Sequence, residues 1–278
     1  MRSILACGTA DAKPGCDLTV RYLYQVQRGQ APEMVFAQLM AGFMAAQADE
    51  RVVGLNMVMP EDGTISMQDY KLHMEMVKYF HALYPNVHVS LHAGELNNQL
   101  VNSDGLKFHI HDAVLVAGAN RIGHGVDIAN EDEMQTLLST MAAKRILVEI
   151  NLTSNRVILN VEGKDHPLNL YLQNDVPVAL STDDEGVSRS NMTKEYVEAV
   201  NDFHLSYPTL KHMARNSLHY SFAAGQSLWV DDSYAEKNLA CRVDNADCKA
   251  FLSANPKARL EWDLEQRFNV FENQFAKK

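Results

Sequence analysis

Acidic and imidazole side chains stand at the ends of three short apolar runs of the sequence, VHVSLH, RIGHG and PVALST. They are His92 and Glu95 at the first run, His124 in the second, and Asp183 and Asp184 after the third. Imidazole nitrogens and carboxylate oxygens are ligands that zinc binds in hydrolytic enzymes. Zinc lowers the pKa of a bound water to about 7, and a neighbouring carboxylic acid can then transfer the proton. The residue types therefore predict a site for metal-assisted hydrolysis.

Each of these residues also has a structural interpretation that needs no metal. A histidine at a strand end is often a hydrogen-bonded structural residue, and the adjacent Asp183 and Asp184 are typical of a turn or a helix N-cap. Glu95 lies in a glycine-containing loop, where a carboxylate is usually solvated. A common site is favoured because the residues follow three different strands, and the strand ends of a parallel barrel meet at one mouth.

Six apolar, β-branched runs alternate with helical patterns along the chain. The runs begin near Thr19, Arg51, Val87, Arg121, Ile146 and Pro177, at intervals of 25 to 36 residues. Such intervals match one strand plus one crossover helix. The helical patterns cover residues 32–48, 67–84, 108–118, 131–143, 167–174 and 193–205. This βα repeat predicts an α/β fold with a parallel sheet and helices outside it.

The predicted helix over 67–84 has Ser66 as its N-cap and Asp69 as an acidic capping partner. From Pro208 onward the pattern is helical only, and residues 257–275 predict a helix that covers the barrel exterior or, alternatively, docks a partner. No linker rich in Pro, Gly or Ser divides the chain. We therefore expect a single domain over residues 1–278, in which residues 226–278 form a helical C-terminal extension packed on the barrel.

The overall composition narrows the classes of function. The 278 residues include 25 Lys plus Arg against 35 Asp plus Glu, which gives a net charge of −10, and 46% of them are hydrophobic. This composition excludes a disordered chain, and the acidic balance argues against a nucleic-acid binder, which would show a basic face. No run approaches the roughly 18 apolar residues of a membrane span. We expect a small-molecule partner, with neither nucleic acid nor membrane.

The four cysteines occur in two closely spaced pairs, Cys7 with Cys16 and Cys241 with Cys248. Neither pair has the C-x-x-C spacing of zinc fingers and redox motifs. Two alternatives are open at this point. Two disulfides would indicate an exported or periplasmic protein in an oxidising compartment, whereas four reduced thiols would indicate a cytoplasmic protein.

The strings HAGE, RIGHG and STDD, in this order over about residues 18–225, resemble the adenosine deaminase family of metal-dependent aminohydrolases. The resemblance implies a TIM-type (β/α)8 barrel, here with about six of the eight βα units plus C-terminal helices. It also implies one zinc ion per site and hydrolysis of the 6-amino group of a purine nucleoside to the 6-oxo product and ammonia. A purine-binding pseudoenzyme and a barrel amidohydrolase with a different amine substrate are the alternatives.

The resemblance implies a role for each motif residue. His92 and Asp183 would bind zinc. Glu95 would protonate the purine ring nitrogen beside the reacting carbon and relay the proton of the attacking hydroxide. His124 would orient that hydroxide, and Asp184 would hydrogen-bond the five-membered ring of the purine and position the base.

Two further segments are compared with the mouth of the family's barrel. Ser154 and Asn155, after the run ILVEIN, resemble a family loop at the mouth and would contribute to substrate binding. Residues 52–62 read VVGLNMVMPED and have no glycine where the family has an Asp-Leu-Ala-Gly-type stretch. The resemblance therefore predicts the reaction class more firmly than the particular purine. Glu61 and Asp62 in this segment either line the mouth or lie in a solvated loop, and the solvated loop is the favoured expectation.

The H-x-H pair that the family carries on its first strand, with two more zinc ligands, is not found in its usual place. The first histidine is His73, inside a helical pattern, and His109-Ile110-His111 opens the helix before RIGHG. Because six strands rather than eight are counted, we expect the first two strands and their H-x-H to lie on an upstream segment or a separate chain.

Overall fold

A single parallel sheet of six strands forms the framework of the computed structural model, which describes residues 2–275. The strands are β1 (Tyr22–Gln27), β2 (Val52–Val58), β3 (His88–Ala93), β4 (Arg121–His124), β5 (Leu147–Ile150) and β6 (Val178–Leu180). Each strand pairs in parallel with the next one along the chain. This sequential parallel order is that of consecutive units of a TIM-type barrel. The predicted α/β fold with about six βα units is confirmed, and every strand begins within three residues of its predicted start.

Helices connect the strands and continue beyond the last one. They are α1 (Pro32–Ala48), α2 (Thr64–Gln68), α3 (Tyr70–Leu83), α4 (His109–Leu115), α5 (Met134–Ala143), α6 (Leu152–Leu159), α7 (Leu168–Gln173), α8 (Glu185–Ser188), α9 (Met192–Phe203), α10 (Tyr207–His219), α11 (Ala246–Ala254) and α12 (Pro256–Phe275). Short 3-10 turns occur at Ser103–Leu106, Val126–Asn130, Gly163–Asp165 and Leu239–Cys241. Within the described residues, no helix is both long and apolar enough to cross a membrane.

One helix prediction is wrong in its start and its continuity. The segment predicted as a single helix over 67–84 is divided at Asp69 into α2 and α3, and Ser66 is a buried residue inside α2 rather than an N-cap. The N-cap of α2 is Gly63. The break brings Tyr70 into the core, where its ring stacks on a buried histidine, and this tertiary contact has no signal in the local pattern.

The main core lies between the sheet and the helices that cover it. Alternate strand residues such as Leu55, Met57, Val89 and Leu91 are almost fully buried there, as is Phe43 of α1. Burial of this apolar surface stabilises the sheet by roughly 25 cal/mol per Å². The core therefore holds the carboxyl ends of the strands in fixed positions.

A second, smaller apolar cluster lies toward the C-terminus. Leu228, Trp229, Tyr234, Cys241, Cys248 and Ala258 are buried together, and Phe251, Leu252 and Trp262 pack against them. The segment between α10 and α11 is irregular, with an isolated bridge between Trp229 and Lys237, where the sequence pattern predicts helix only. Both cysteine pairs are disulfides, Cys7–Cys16 and Cys241–Cys248, which is the first of the two alternatives left open by the sequence.

Candidate metal-dependent active site

Three of the motif side chains meet at the carboxyl ends of the two central strands. His92 lies near the end of β3, His124 ends β4, and Glu95 follows β3 by two residues. One nitrogen or oxygen atom from each lies within 4.8 Å of the others. The two imidazole rings are tilted against each other with centroids 4.9 Å apart. The sequence prediction that strand-end residues converge here agrees with this placement.

Asp183 follows β6 by three residues and is not one of the three residues of that group. Asp183 has a positive φ of 51°, in the turn of the chain that follows β6. Its Oδ2 accepts a hydrogen bond of 2.8 Å from Ser154 Oγ. The Asp183 charge also raises the pKa of Glu95 and opposes the lowering of the pKa of His92 and of His124, so it lies near enough to act on all three through its charge.

The ring of His92 is oriented by an asparagine on the neighbouring strand. Asn56 Oδ1 accepts hydrogen bonds from His92 Nδ1 at 3.0 Å and from the His92 backbone N–H at 3.1 Å. Since an amide oxygen only accepts, Nδ1 carries the proton and Nε2 keeps its lone pair. Burial, and then the charge of Arg28, lower the pKa of His92. A neutral imidazole held in this way is a typical metal ligand.

Glu95 has an unusually raised pKa. Burial is the main cause, the charges of Glu61 and Asp183 add to it, and together they raise the pKa of Glu95 to about 8. Its Oε1 is buried without a hydrogen-bond partner among the described residues and lies 3.4 Å from His124 Nδ1. The carboxyl group is therefore protonated at neutral pH and available to donate a proton.

His124 is neutral for a similar reason. Its side chain is 1% exposed, and burial followed by the neighbouring His92 lowers the pKa of His124 to about 4. Two amide groups lie against its Nδ1, Asn155 Nδ2 at 2.9 Å and Asn151 Nδ2 at 3.3 Å. Asn151 directly follows β5 and Asn155 lies in the first turn of α6, so the start of this helix fixes the imidazole.

The remaining predicted site residues lie on either side of this group. Asp184 is exposed at the N-cap of α8, and its charge contributes to the raised pKa of Glu95. Ser154 and Asn155 are buried in the first turn of α6. Ser154 contacts Asp183, and Asn155 contacts His124. Both therefore touch site residues rather than the open mouth.

Glu61 is the functional residue that the sequence analysis missed. The expectation of a solvated loop is wrong, because Glu61 is 2% exposed. It accepts hydrogen bonds of 2.9 Å from the backbone N–H groups of both Gly94 and Glu95 and one of 2.5 Å from His109 Nδ1. Burial acts to raise its pKa, but the His109 hydrogen bond and charge and the Arg28 charge lower the pKa of Glu61 to about 2.

The sequence did hold a signal for Glu61. It follows β2 by three residues, at the same edge of the sheet where the residues after β3, β4 and β6 were taken as site candidates. Its neighbour Asp62 is exposed, as expected for a loop.

The histidine-rich string at 109–111 lies outside the group. His109 begins α4, as predicted, and is fully buried behind the HAGE turn, where Tyr70 stacks on its ring at 3.8 Å. His73 is buried inside α3, and neither of its nitrogens has a hydrogen-bond partner in the described part of the chain. Neither residue joins the cluster of possible ligands.

The chemistry of the donor set fits a divalent ion such as zinc. His92 offers a neutral nitrogen whose other ring nitrogen is hydrogen-bonded, and Asp183 offers a carboxylate held by Ser154. Nitrogen and carboxylate oxygen are both zinc ligands. The unpartnered Glu95 Oε1 shows in addition that a buried polar group here lacks the partner that buried groups normally have.

Comparison with known proteins identifies the family of this chain. Residues 2–228 match the family model described as adenosine deaminase. The adenosine deaminase of Clostridium perfringens is 32% identical over 137 residues, which are 49% of this chain and 38% of that protein. The crystal structure of the Arabidopsis N6-mAMP deaminase is 28% identical with a TM-score of 0.57, and the match covers 73% of this chain and 55% of that one.

A more distant structure extends the likeness in fold. An amidohydrolase from Burkholderia ambifaria, crystallised with bound Zn, superposes with a TM-score of 0.68 at 17% identity, over 100% of this chain and 64% of that one. This likeness concerns the fold alone. The chain spans less than two thirds of the length of each of these three proteins. Because the family model matches most of its length, the chain belongs to the adenosine deaminase family.

Proposed function

We propose that this chain carries the reaction centre of a zinc-dependent hydrolase that converts adenosine or a related aminopurine nucleoside to the 6-oxo product and ammonia. The observation that carries the proposal is the grouping of Glu95, whose pKa is raised to about 8, with the imidazoles of His92 and His124. A carboxyl group with a raised pKa beside imidazoles can act in general acid–base catalysis. Membership of the adenosine deaminase family supports the choice of an aminopurine.

His92 and Asp183 would hold the metal. When bound there, zinc would supply a water of lowered pKa and polarise the developing oxyanion. The hydrogen bond from Ser154 to Asp183 and that from His92 to Asn56 would keep both ligands in place during turnover.

Glu95 would act on the purine itself. Its carboxyl proton would go to the ring nitrogen next to the reacting carbon, which makes that carbon more electrophilic. As water adds to the carbon, the carboxylate at Glu95 would accept one of its two protons. The leaving amine would take the other, from the added hydroxyl, as the C–N bond breaks, and depart as ammonia while the C=O bond forms. The net change is substrate plus water to the 6-oxo product plus ammonia, with Glu95 unchanged.

His124 and Asp184 would act on the two ends of the reacting molecule. His124 would contact the oxygen that adds to the purine, since its ring lies beside both Glu95 and His92. Asp184 is exposed at the rim and, in its protonated form, would donate a hydrogen bond to the free nitrogen of the five-membered ring, which only accepts. Together they would place the base between the acid and the attacking water.

The experiment that tests the proposal is turnover measured with a panel of amines. Adenosine, AMP, N6-methyl-AMP, adenine and cytosine would be offered to the zinc-loaded protein, with ammonia release and the ultraviolet spectrum of the purine as readouts. We expect adenosine or another aminopurine to be deaminated, with loss of activity in a chelator and recovery on zinc addition.

Two results would contradict the proposal. Stoichiometric zinc without deamination of any amine in the panel would indicate a purine-binding protein that is not an enzyme. Deamination of cytosine with no purine turned over would indicate an amidohydrolase of different specificity.

A further inference from the structure

A buried chain of hydrogen bonds leads from the backbone of α7 to His124. The Leu168 backbone N–H donates to His166 Nδ1 at 3.1 Å, and His166 Nε2 lies 3.0 Å from Asn155 Oδ1. Asn155 Nδ2 then lies 2.9 Å from His124 Nδ1. His166, Asn155 and His124 are each at most 3% exposed, so water does not compete for these contacts.

The direction of every hydrogen bond in this chain is determined at its first member. A backbone N–H only donates, so His166 Nδ1 is an acceptor and the proton of the neutral ring is on Nε2. That proton is donated to Asn155 Oδ1, which turns the amide NH2 toward His124. His124 Nδ1 must therefore accept, and Asn151 Nδ2 at 3.3 Å is a second donor to the same nitrogen.

We propose that His166 is a positioning residue that, acting through Asn155, fixes His124 in the tautomer with its proton on Nε2. This inference rests on the proposed function for its catalytic meaning. His124 Nε2 makes no hydrogen bond with any group of residues 2–275, so this nitrogen is available to a ligand. An Nε2–H would donate to the oxygen that adds to the purine and stabilise its developing charge. The other tautomer would present a lone pair to that oxygen instead.

One contact opposes this assignment and makes it testable. Glu95 Oε1 lies 3.4 Å from His124 Nδ1, and an ionised Glu95 would accept a hydrogen bond from that nitrogen. Asn155 Nδ2 at 2.9 Å and Asn151 Nδ2 at 3.3 Å both lie closer to His124 Nδ1 than Glu95 does, and an amide NH2 cannot accept a hydrogen bond. The geometry thus favours the Nε2–H tautomer over the alternative that Glu95 would select.

The first test reads the tautomer directly by NMR. The 11 histidines of the zinc-loaded protein would be labelled with 15N, and the His124 signals identified by their absence in His124→Gln. We expect the Nε2–H pattern in the unaltered protein. In Asn155→Asp the carboxylate keeps the shape of the amide but only accepts, so the proton of His124 should move to Nδ1. An Nδ1–H tautomer in the unaltered protein, or the same tautomer in both, would overturn the proposal.

The second test separates positioning from simple structural support. His166→Gln keeps a donor in the place of Nε2–H, whereas His166→Leu removes it. We expect kcat to fall at least tenfold in His166→Leu with KM changed less than threefold, and most of kcat and the Nε2–H pattern to return in His166→Gln. In Asn155→Asp, where the tautomer is reversed, kcat should fall about 10²-fold or more, as wrong tautomers do in hydrolytic triads.

The outcomes of these tests are distinct from those of the proposed function. The tautomer is read without substrate, so a protein that deaminates no amine yet shows the expected tautomer change refutes only the proposed function. Equal loss of kcat in His166→Gln and His166→Leu, with the His124 spectrum unchanged, refutes the role of His166 even if adenosine is turned over rapidly.

Discussion

At the scale of single residues, two glutamates joined by one hydrogen bond have opposite protonation states. Glu61 accepts from the backbone N–H of Glu95, yet the pKa of Glu61 is lowered to about 2 and that of Glu95 is raised to about 8. The Glu61 side chain is 1% exposed and that of Glu95 is 16% exposed, so the more deeply buried group has the lower pKa and burial alone does not explain the difference. Glu61 has His109 and Arg28 as cationic or donating partners, whereas Glu95 Oε1 has none among the described residues. Partners, rather than depth, assign one glutamate to structure and the other to proton transfer.

Glu95→Gln is expected to lower kcat by about 10²–10⁴-fold, because the amide cannot deliver the proton that the ring nitrogen needs. Zinc content per chain should be unchanged, since His92 and Asp183 remain. Deamination rates and metal analysis would be compared with those of Glu133→Gln, in which an exposed glutamate is changed in the same way. Turnover within a few fold of the unaltered protein would contradict the role given to Glu95, and loss of zinc would show that Glu95 is itself a ligand.

Glu61→Gln is expected to destabilise the fold by about 2–4 kcal/mol and to lower activity as well. An amide NH2 replaces one carboxylate oxygen, so either the Gly94 or the Glu95 N–H loses its acceptor while His109 and Arg28 lose a charge. Denaturant unfolding would measure the change. Asp62→Asn is the matched control next in sequence, and this exposed position should change stability by less than about 0.5 kcal/mol.

At the scale of elements, the turn after β3 depends on a glycine. Gly94 has a φ of +77°, and a Cβ there would lie 2.8 Å from Ile110 Cδ1 and also collide with Asp127 Oδ1. Gly94→Ala is therefore expected to lower kcat strongly and to cost more stability than Gly163→Ala. Gly163 also has a positive φ, of +53°, but no atom lies near its Cβ, so that variant measures the backbone cost alone, about 1–2 kcal/mol. Equal unfolding free energies for the two variants would show that steric contact is unimportant.

Glu131 caps the first turn of α4 with a carboxyl group whose pKa is raised. Its Oε1 accepts from the Ile110 backbone N–H, and burial outweighs this and raises the pKa of Glu131 from 4.5 to about 8. Between these two values the folded chain keeps a proton that the unfolded chain has lost. Stability from this group is therefore fully present below pH 4.5 and is lost as the pH rises toward 8.

Glu131→Gln should remove this dependence, because an amide does not titrate. The quantity to follow is the difference in unfolding free energy, unaltered protein minus Glu131→Gln. We expect this difference to fall by on the order of a few kcal/mol between pH 5 and pH 8. The difference between the two proteins is the useful quantity, since Glu95 and Asp127 also have a raised pKa. Glu133→Gln, an exposed neighbour, serves as the control. A difference that does not vary with pH would contradict the assignment.

The same scale shows what the sequence could and could not predict. The six strands and α1 were predictable because β-branched runs and apolar periodicity are local properties. The break at Asp69 was not, since the next residue, Tyr70, packs on His109, which is 39 residues away. The burial of Glu61 was missed for a similar reason, because its partners Gly94 and His109 are distant in sequence.

For the molecule as a whole, the site is assembled from five consecutive strands. Asn56 lies on β2, His92 on β3 and His124 on β4, while Asn155 and Asp183 follow β5 and β6. Strand order alone places these carboxyl ends side by side, which is why the meeting of His92, Glu95 and His124 could be inferred from the chain order. The hydrogen bonds that orient each side chain depend on individual distances, and chain order carries no information on those.

The C-terminal cluster is held by a covalent link as well as by apolar contacts. Cys241 and Cys248 are both buried, at 1% and 0% exposure, and their disulfide connects the turn before α11 with that helix. Cys7–Cys16 instead lies in a largely exposed N-terminal segment. Two such links, with no free cysteine, lead us to propose that the protein works in an oxidising compartment, in line with the usual distribution of disulfides.

This proposal predicts that reduction costs stability, chiefly through the buried pair. Replacing Cys241 and Cys248 together by alanine is expected to lower the unfolding free energy by about 2–3 kcal/mol, because a short closed loop restricts the unfolded chain. Replacing Cys7 and Cys16 together by serine is the comparison, and it should leave zinc binding and turnover unchanged, since both residues lie far along the chain from the site. Thiol titration of protein isolated from its natural host should find no reactive cysteine before reduction and four after it. Four free thiols in the native protein would instead place it in a reducing compartment and refute the proposal.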